Sequence, residues 1–193
     1  MGKSVDVNLK QFYTNVLKNN PLLYDHQFIV TFSGADLPAS LVSDPSNFTS
    51  LTYFVKSATI PKIEIMEHTV NFLSQDFVVP GSLQNTAGTW DCKLMATNSL
   101  NHYVALRNWH KKFADLARNG GGQHTIPNVT AHVHVLDSTM QEELHDFVLE
   151  GVFPSKLADI SMKYENAANI PELTCTFQYQ YMYKSSEGDP LGA

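Results

Sequence analysis

Apolar and polar residues alternate along most of this chain, and a helical period surfaces in only two places. Residues 27–32 read as a strand with Phe28, Val30 and Phe32 on one face. Residues 89–96 form the clearest central strand: Trp90, Cys92, Leu94 and Ala96 face one way, and Thr89, Asp91 and Lys93 the other. Strand chemistry also marks 51–56, 62–67 and 129–136, and 147–153 is extended up to Pro154. Between 69 and 79 the alternation marks Val70, Phe72, Phe77 and Val79 for burial. The last run is the longest, with Leu173, Cys175, Phe177, Tyr179, Tyr181 and Tyr183 on one face. Apolar and aromatic residues sustained at period two are half of a buried sheet surface.

The first helical stripe, Val5, Leu9, Phe12, Tyr13, Val16 and Leu17, starts at a Ser4 cap and stops at Asn19-Asn20-Pro21. The second follows Asn98 or Asn101 as cap and runs through Tyr103, Leu106, Trp109, Phe113, Leu116 and Ala117, opposite Arg107, Lys111 and Arg118. Asn119 and glycines 120–122 end it. Residues 33–50, with Gly34, Pro38 and Pro45, interrupt every period and read as a long loop of the size associated with function or assembly. Ser57 to Pro61 bend the chain, Pro80-Gly81 open a polar connection to Gly88, and 165–171 read as a turn.

One mid-chain helix among about seven strands does not make alternating strand–helix units, so a parallel α/β fold is disfavoured. The expected fold is mainly β: an antiparallel β-barrel or sandwich with one flanking α-helix and an added N-terminal helix. The expected organisation is an N-terminal helical extension at 1–23, a β domain at 24–184 carrying an insertion at about 33–50, and a loose tail at 185–193.

Composition adds a hint about surface. The chain has 193 residues, enough for one domain, and 43% of them are hydrophobic. Only 17% are charged, against the quarter or so that a fully solvated surface asks for, so part of the surface is expected to be covered by partners. The net charge of −6 and the lack of any basic block beyond Lys111-Lys112 argue against specific nucleic-acid binding. No apolar run has the length of a signal peptide core or a membrane span, so no membrane insertion is expected, and the sequons at Asn47 and Asn128 are read as coincidences. Cys92 and Cys175 read as buried thiols in a reducing compartment, with a disulfide across adjacent strands as the alternative.

Residue spacing specifies no catalytic constellation. His132 and His134 are two apart on a strand and point the same way, as metal ligands can. A cupin-like site also wants a carboxylate soon after on that strand; Asp137 has the opposite parity, and Glu142, Glu143 and His145 follow a presumed turn. His132 and His134 are therefore read as a polar strand face, and no metal site is assigned. His102 and His110 share a broad helix side without a specified third ligand, and His68 and His124 lie near presumed loops. No nucleophile elbow, phosphate loop or dinucleotide fingerprint occurs. Asp76, Asp91, Glu142, Glu143 and Asp146 supply no glycosidase pair that spacing can show. No catalytic residue and no cofactor is assigned.

Several stretches, in order, resemble the tail tube proteins of contractile-tailed, T4-like bacteriophages. Ser57-Ala58-Thr59-Ile60-Pro61 is similar to that family's strand-ending bend, and Thr89 to Met95 to its central strand with an early tryptophan. The helix carrying Trp109 and Phe113, the Glu150-Gly151-Val152-Phe153-Pro154-Ser155 stretch and the C-terminal 160–183 segment continue the likeness, which covers roughly 24–183. The resemblance implies a non-enzymatic virion protein, assembled in the host cytoplasm into hexameric rings that stack into a tube for DNA. Sheath, baseplate and tape-measure proteins are the implied partners. Stacking contacts are expected in 60–88, with 33–50 second, and polar faces near Asp91 and 174–180 are candidates for the lumen. The alternatives are a tube-initiating baseplate component, a small-barrel binding module using the aromatic strand 177–183 and a cupin-like metal enzyme.

Overall fold

The computed structural model describes residues 23–41, 51–83, 87–114, 125–162 and 170–188. The expected N-terminal helix, the remainder of the 33–50 segment, residues 165–169 of the expected 165–171 turn and the end of the tail lie outside them.

Among the described residues, ten strands form three antiparallel sheets. The strands are β1 (Phe28–Ser33), β2 (Val55–Ala58), β3 (Ile65–Phe72), β4 (Gln75–Leu83), β5 (Gly88–Met95), β6 (Thr130–Leu136), β7 (Glu143–Glu150), β8 (Phe153–Leu157), β9 (Glu172–Tyr179) and β10 (Tyr181–Lys184). The first sheet has the order β1-β6-β7-β10, the second β2-β5-β9-β8, and β3-β4 stands as a sheet of its own. Two open four-stranded sheets packed on a shared core make a sandwich; no sheet closes on itself among the described residues, so the barrel alternative is not what forms.

The core is the alternation made physical. Trp90, Cys92 and Leu94 of β5 and Leu173, Cys175 and Phe177 of β9 are buried on one side of the second sheet. They meet Val30, Phe32, Ala131, Val133 and Leu149 of the first. Phe177 is the hub: its ring centroid lies 5.5 Å from Phe32, 5.4 Å from Trp90 and 6.0 Å from Trp109, within the range of favourable tilted aromatic contacts.

Trp109 belongs to α1 (Asn101–Phe113), the one α-helix among the described residues. Its stripe of Leu106 and Trp109 is buried, and Tyr103 and Phe113 pack at its margins. Both helix ends differ from the sequence reading. Leu100, in left-handed conformation (φ 52°), precedes the first turn without any side-chain cap, because the chain enters from a tight turn in which the Leu100 amide donates to the Thr97 carbonyl at 3.0 Å. The helix ends at Phe113, where the Ala114 amide (φ −139°) still donates to the His110 carbonyl, and Leu116, Ala117 and Arg118 lie outside the described residues.

The 33–50 segment, expected as a loop, is tied to the body in its described part. Leu37 and Leu41 are buried in the core, and Ala39–Leu41 form a 3-10 turn. Asp36 accepts the Asn128 amide at 2.8 Å through its side chain, and the Lys112 ammonium reaches the Asp36 carbonyl at 3.3 Å. Residues 51–54, expected as the start of a strand, are a 3-10 turn whose Leu51 is buried, and extended pairing begins only at Val55.

Two segments expected to be single strands change sheet midway. Residues 147–153 divide at Gly151 into β7 of the first sheet and β8 of the second, and 173–183 divide at Gln180 into β9 and β10. Each corner residue resets the alternation, as an extra residue in a strand does. Phe177 and Tyr179 therefore point into the core while Met182, not Tyr181 or Tyr183, packs against it from β10. The expectation that all six apolar or aromatic residues share one face fails at its last two members for that reason.

Candidate assembly surfaces

Three surfaces remain once the core is filled. The first is the β3–β4 hairpin. Its strands join through Leu73 and Ser74, both at positive φ (51° and 63°), the paired left-handed conformation whose twist suits a two-residue hairpin loop. Val70 pairs with Phe77, Phe72 with Gln75 and His68 with Val79, so Met66, Val70, Phe72, Phe77 and Val79 line one side. The other side is mixed, with Glu67, Thr69, Asn71 and Asp76 beside Val78 and Pro80, and Asn71 donates to Asp76 at 2.7 Å.

The apolar side is not covered. Phe72 is 64% exposed and Leu73 at the tip 81%, and Val70, Phe77 and Val79 are exposed with them. This reverses the expectation of burial for Val70, Phe72, Phe77 and Val79. The alternation was real, but the ribbon forms a sheet of its own and has no second layer among the described residues. A two-stranded ribbon is marginal alone in water, and an apolar face of this kind marks a contact surface. The expected polar connection from Pro80 to Gly88 is also shorter, since β4 continues to Leu83.

The second surface is the outer face of the second sheet, where Asp91 and Lys93 are exposed and Thr174, Thr176 and Gln178 half-exposed. Thr176 donates its hydroxyl to Asp91 at 2.6 Å, and Lys56 pairs with Glu172, so acid and base are mixed rather than segregated.

The third is the outer face of the first sheet. Antiparallel pairing sets His134 opposite Asp146 and His132 opposite Val148. His132 Nδ1 lies 3.0 Å from Asp146 Oδ2, and His134 Nδ1 lies 2.7 Å from Glu143 Oε2. Asp146 and Glu143 are thus brought onto the histidine face that spacing alone left without a carboxylate. The signal was available only through the β6–β7 register, which the turn sets: Asp137 accepts from the Thr139 hydroxyl (2.6 Å) and the Gln141 and Glu142 amides (3.0 and 3.2 Å). Beside this cluster Glu150 accepts from Thr130 at 2.8 Å and from the Tyr183 hydroxyl at 3.4 Å.

The remaining predicted sites do not converge. His102 is buried against Phe54, ring centroids 4.5 Å apart, and burial holds its imidazole below the ordinary pKa. His110 stays on the helix, His68 lies over Gly81 in the hairpin, and His124 is outside the described residues. Cys92 and Cys175 are directly paired, buried and free, without a disulfide.

A mainly β sandwich with one helix and an amphipathic hairpin has a counterpart among known proteins. The family described as phage tail tube protein matches residues 23–185, nearly the whole described chain. This chain belongs to the phage tail tube protein family. Members of that family are structural and non-catalytic, so the absence of a catalytic constellation in the sequence has its explanation here.

Solved structures show the same tail tube fold. The cap of the anti-feeding prophage aligns with TM-score 0.58 at 16% identity, covering 84% of this chain and 90% of that one. The sheath–tube complex of an extracellular contractile injection system, PVC, in its extended state, aligns with TM-score 0.58 at 13% identity over 89% of this chain and 96% of that one. The sheath/tube terminator of the PVC system gives 0.59 at 13% identity, over 84% and 96%. Comparison with curated proteins gives no match.

Proposed function

We propose that this protein is the repeating subunit of a phage tail tube, closing into hexameric rings that stack into the hollow passage for DNA. The observation that carries the proposal is the β3–β4 hairpin. In a tail tube family member, an amphipathic ribbon with an unburied apolar side is suited to lie on the next ring. A contact made by one surface on a different surface of the next copy propagates as a filament instead of closing as a dimer.

Within a ring, the edge strands β1 and β10 of the first sheet and β2 and β8 of the second offer backbone groups for pairing with neighbours. Joining them would remove the exposed edges that make a lone sandwich prone to aggregate. The mixed-charge outer face around Asp91 and Thr176 is the proposed lumen wall, since a wall without basic patches does not retain phosphates. Sheath, baseplate and tape-measure proteins are the proposed partners, and the host cytoplasm the place of assembly.

A second reading has its own support: the fold is shared with a cap and a terminator as much as with a sheath–tube complex. Negative-stain microscopy of the purified chain separates them. Hollow tubes of indefinite length are expected. Single rings that never stack would move the assignment to an initiator or terminator, and persistent monomers would overturn both. Phe72→Ser with Phe77→Ser is expected to leave rings and abolish tubes.

A further inference from the structure

The histidine cluster of the first sheet has a geometry that ring stacking does not call for. One ligand-type atom from each of His132, His134 and Asp146 lies within 4.8 Å of the other two. The imidazoles are parallel to within 3°, their centroids 5.6 Å apart, as residues two apart on a strand should be. The Asp146 carboxylate, only 9% exposed, reaches both: Oδ2 is 3.0 Å from His132 Nδ1 and Oδ1 is 3.6 Å from His134 Nδ1. Glu143 Oε2 approaches His134 Nδ1 from the other side at 2.7 Å. A tetrahedral ion with bonds of about 2.0–2.1 Å holds its donors about 3.4 Å apart, and the separations of the two histidines from the Asp146 carboxylate, 3.0 and 3.6 Å, lie on either side of that value.

We propose that this cluster is a structural site for a divalent first-row transition ion of the zinc type. The ligands are His132 Nδ1, His134 Nδ1 and an Asp146 oxygen, with Glu143, which contacts His134 alone, next to them. Two imidazole nitrogens with two carboxylates suit Zn²⁺; Mg²⁺ and Ca²⁺ prefer oxygen throughout. A move of the Glu143 carboxylate from its contact with His134 toward the other donors would complete a closed set of four, as structural sites have.

Thr31 supplies the outer support. Its Oγ1 lies 2.9 Å from His134 Nε2. When the ion takes Nδ1 of neutral His134, the ring proton resides on Nε2, and the Thr31 hydroxyl oxygen accepts it, the usual partner arrangement for a metal-bound histidine. Ligands from β6 and β7 with support from β1 would join three neighbouring strands at one point. The proposal does not depend on how rings stack.

The test uses the untagged full-length chain, stripped with chelator. Zn²⁺ titration by calorimetry is expected to show one equivalent per chain, and Co²⁺ to give the intense visible bands of a tetrahedral site. Zn²⁺ is expected to raise the melting temperature. His132→Ala and Asp146→Asn should each weaken binding at least tenfold, and His110→Ala on α1 should leave it unchanged. If Asp146→Asn fails to fold, the half-buried His132→Ala decides. No binding to the native chain, or undiminished binding in His132→Ala, overturns the site and leaves a hydrogen-bonded histidine–carboxylate network only.

Discussion

The Gln180 amide donates to the Glu150 carbonyl at 2.9 Å, where β7 and β9 both leave their sheets. Gly151 stands next to this bond at φ 66°, and a Cβ there would lie 2.6 Å from Gln180 Cγ and 3.0 Å from Ile126 Cγ2. The two corners therefore pack on each other, and the Glu150–Gln180 bond holds the crossing that couples the two sheets.

Gly151→Ala combines a left-handed backbone with that contact. The left-handed conformation alone costs an L-residue about 1–2 kcal/mol. The expected loss is at least that much, seen as a lower urea midpoint. At Gly188, φ is 77° and nothing lies within 4 Å of a new Cβ, so Gly188→Ala should cost less. Equal losses at the two positions would show that the corner packing contributes nothing.

The two tryptophans should respond differently to the same change. Trp90 Nε1 donates to the Thr59 carbonyl at 2.7 Å, whereas Trp109 Nε1 is buried with no hydrogen-bond partner among the described residues. Trp90→Phe thus loses that bond, about 0.5–1.5 kcal/mol beyond repacking, and should destabilise more than Trp109→Phe. Trp109→Ala, which empties the space against Phe177, should cost about 3–5 kcal/mol. Chemical denaturation of the three variants checks the order.

Stability should fall in alkali because of the paired thiols. Burial pushes Cys92 up to about 12, and burial with the neighbouring Cys92 and Asp91 raises Cys175 as well. Unfolded thiols ionise near pH 8.5–9, so above that range the folded state holds more protons than the unfolded one. The contribution is fully present below about pH 8.5 and declines as pH rises toward 12. Urea midpoints between pH 8 and 10.5 should fall, and Cys92→Ala with Cys175→Ala should flatten the decline. Thiol reagents should find no reactive cysteine in the folded chain and both after denaturation.

Asp137 should act at the opposite end of the pH scale. The Thr139 hydroxyl, then the turn amides, lower its carboxyl to about 2. Its contribution is present above the ordinary carboxylate range near 3.9 and is lost as pH falls toward 2. An NMR titration should place its midpoint near 2, and Asp137→Ala should broaden the amide resonances of the β6–β7 turn.

The hairpin variants should separate folding from assembly. Phe72 and Phe77 are exposed, so Phe72→Ser and Phe77→Ser are expected to change the subunit's stability by no more than about 0.5 kcal/mol. A large loss of subunit stability would place the apolar side inside the fold.

What the sequence by itself determined is every element whose side chains obey one period against one neighbour. β5, the β9 face through Tyr179 and the Leu106–Trp109 stripe of the helix were legible because their apolar residues meet a layer of the same chain. Alternation reports that a face will be buried, not by what. Val70, Phe72, Phe77 and Val79 kept the period of a core strand, yet only the tertiary structure showed them exposed. Likewise, a period cannot announce that Gly151 and Gln180 move their strands to another sheet, because the bend is stabilised by the partner corner more than 20 residues away. His132 and His134 were visible as a same-side pair, but Asp146 and Glu143 joined them only through cross-strand register, a long-range relation that no local spacing contains.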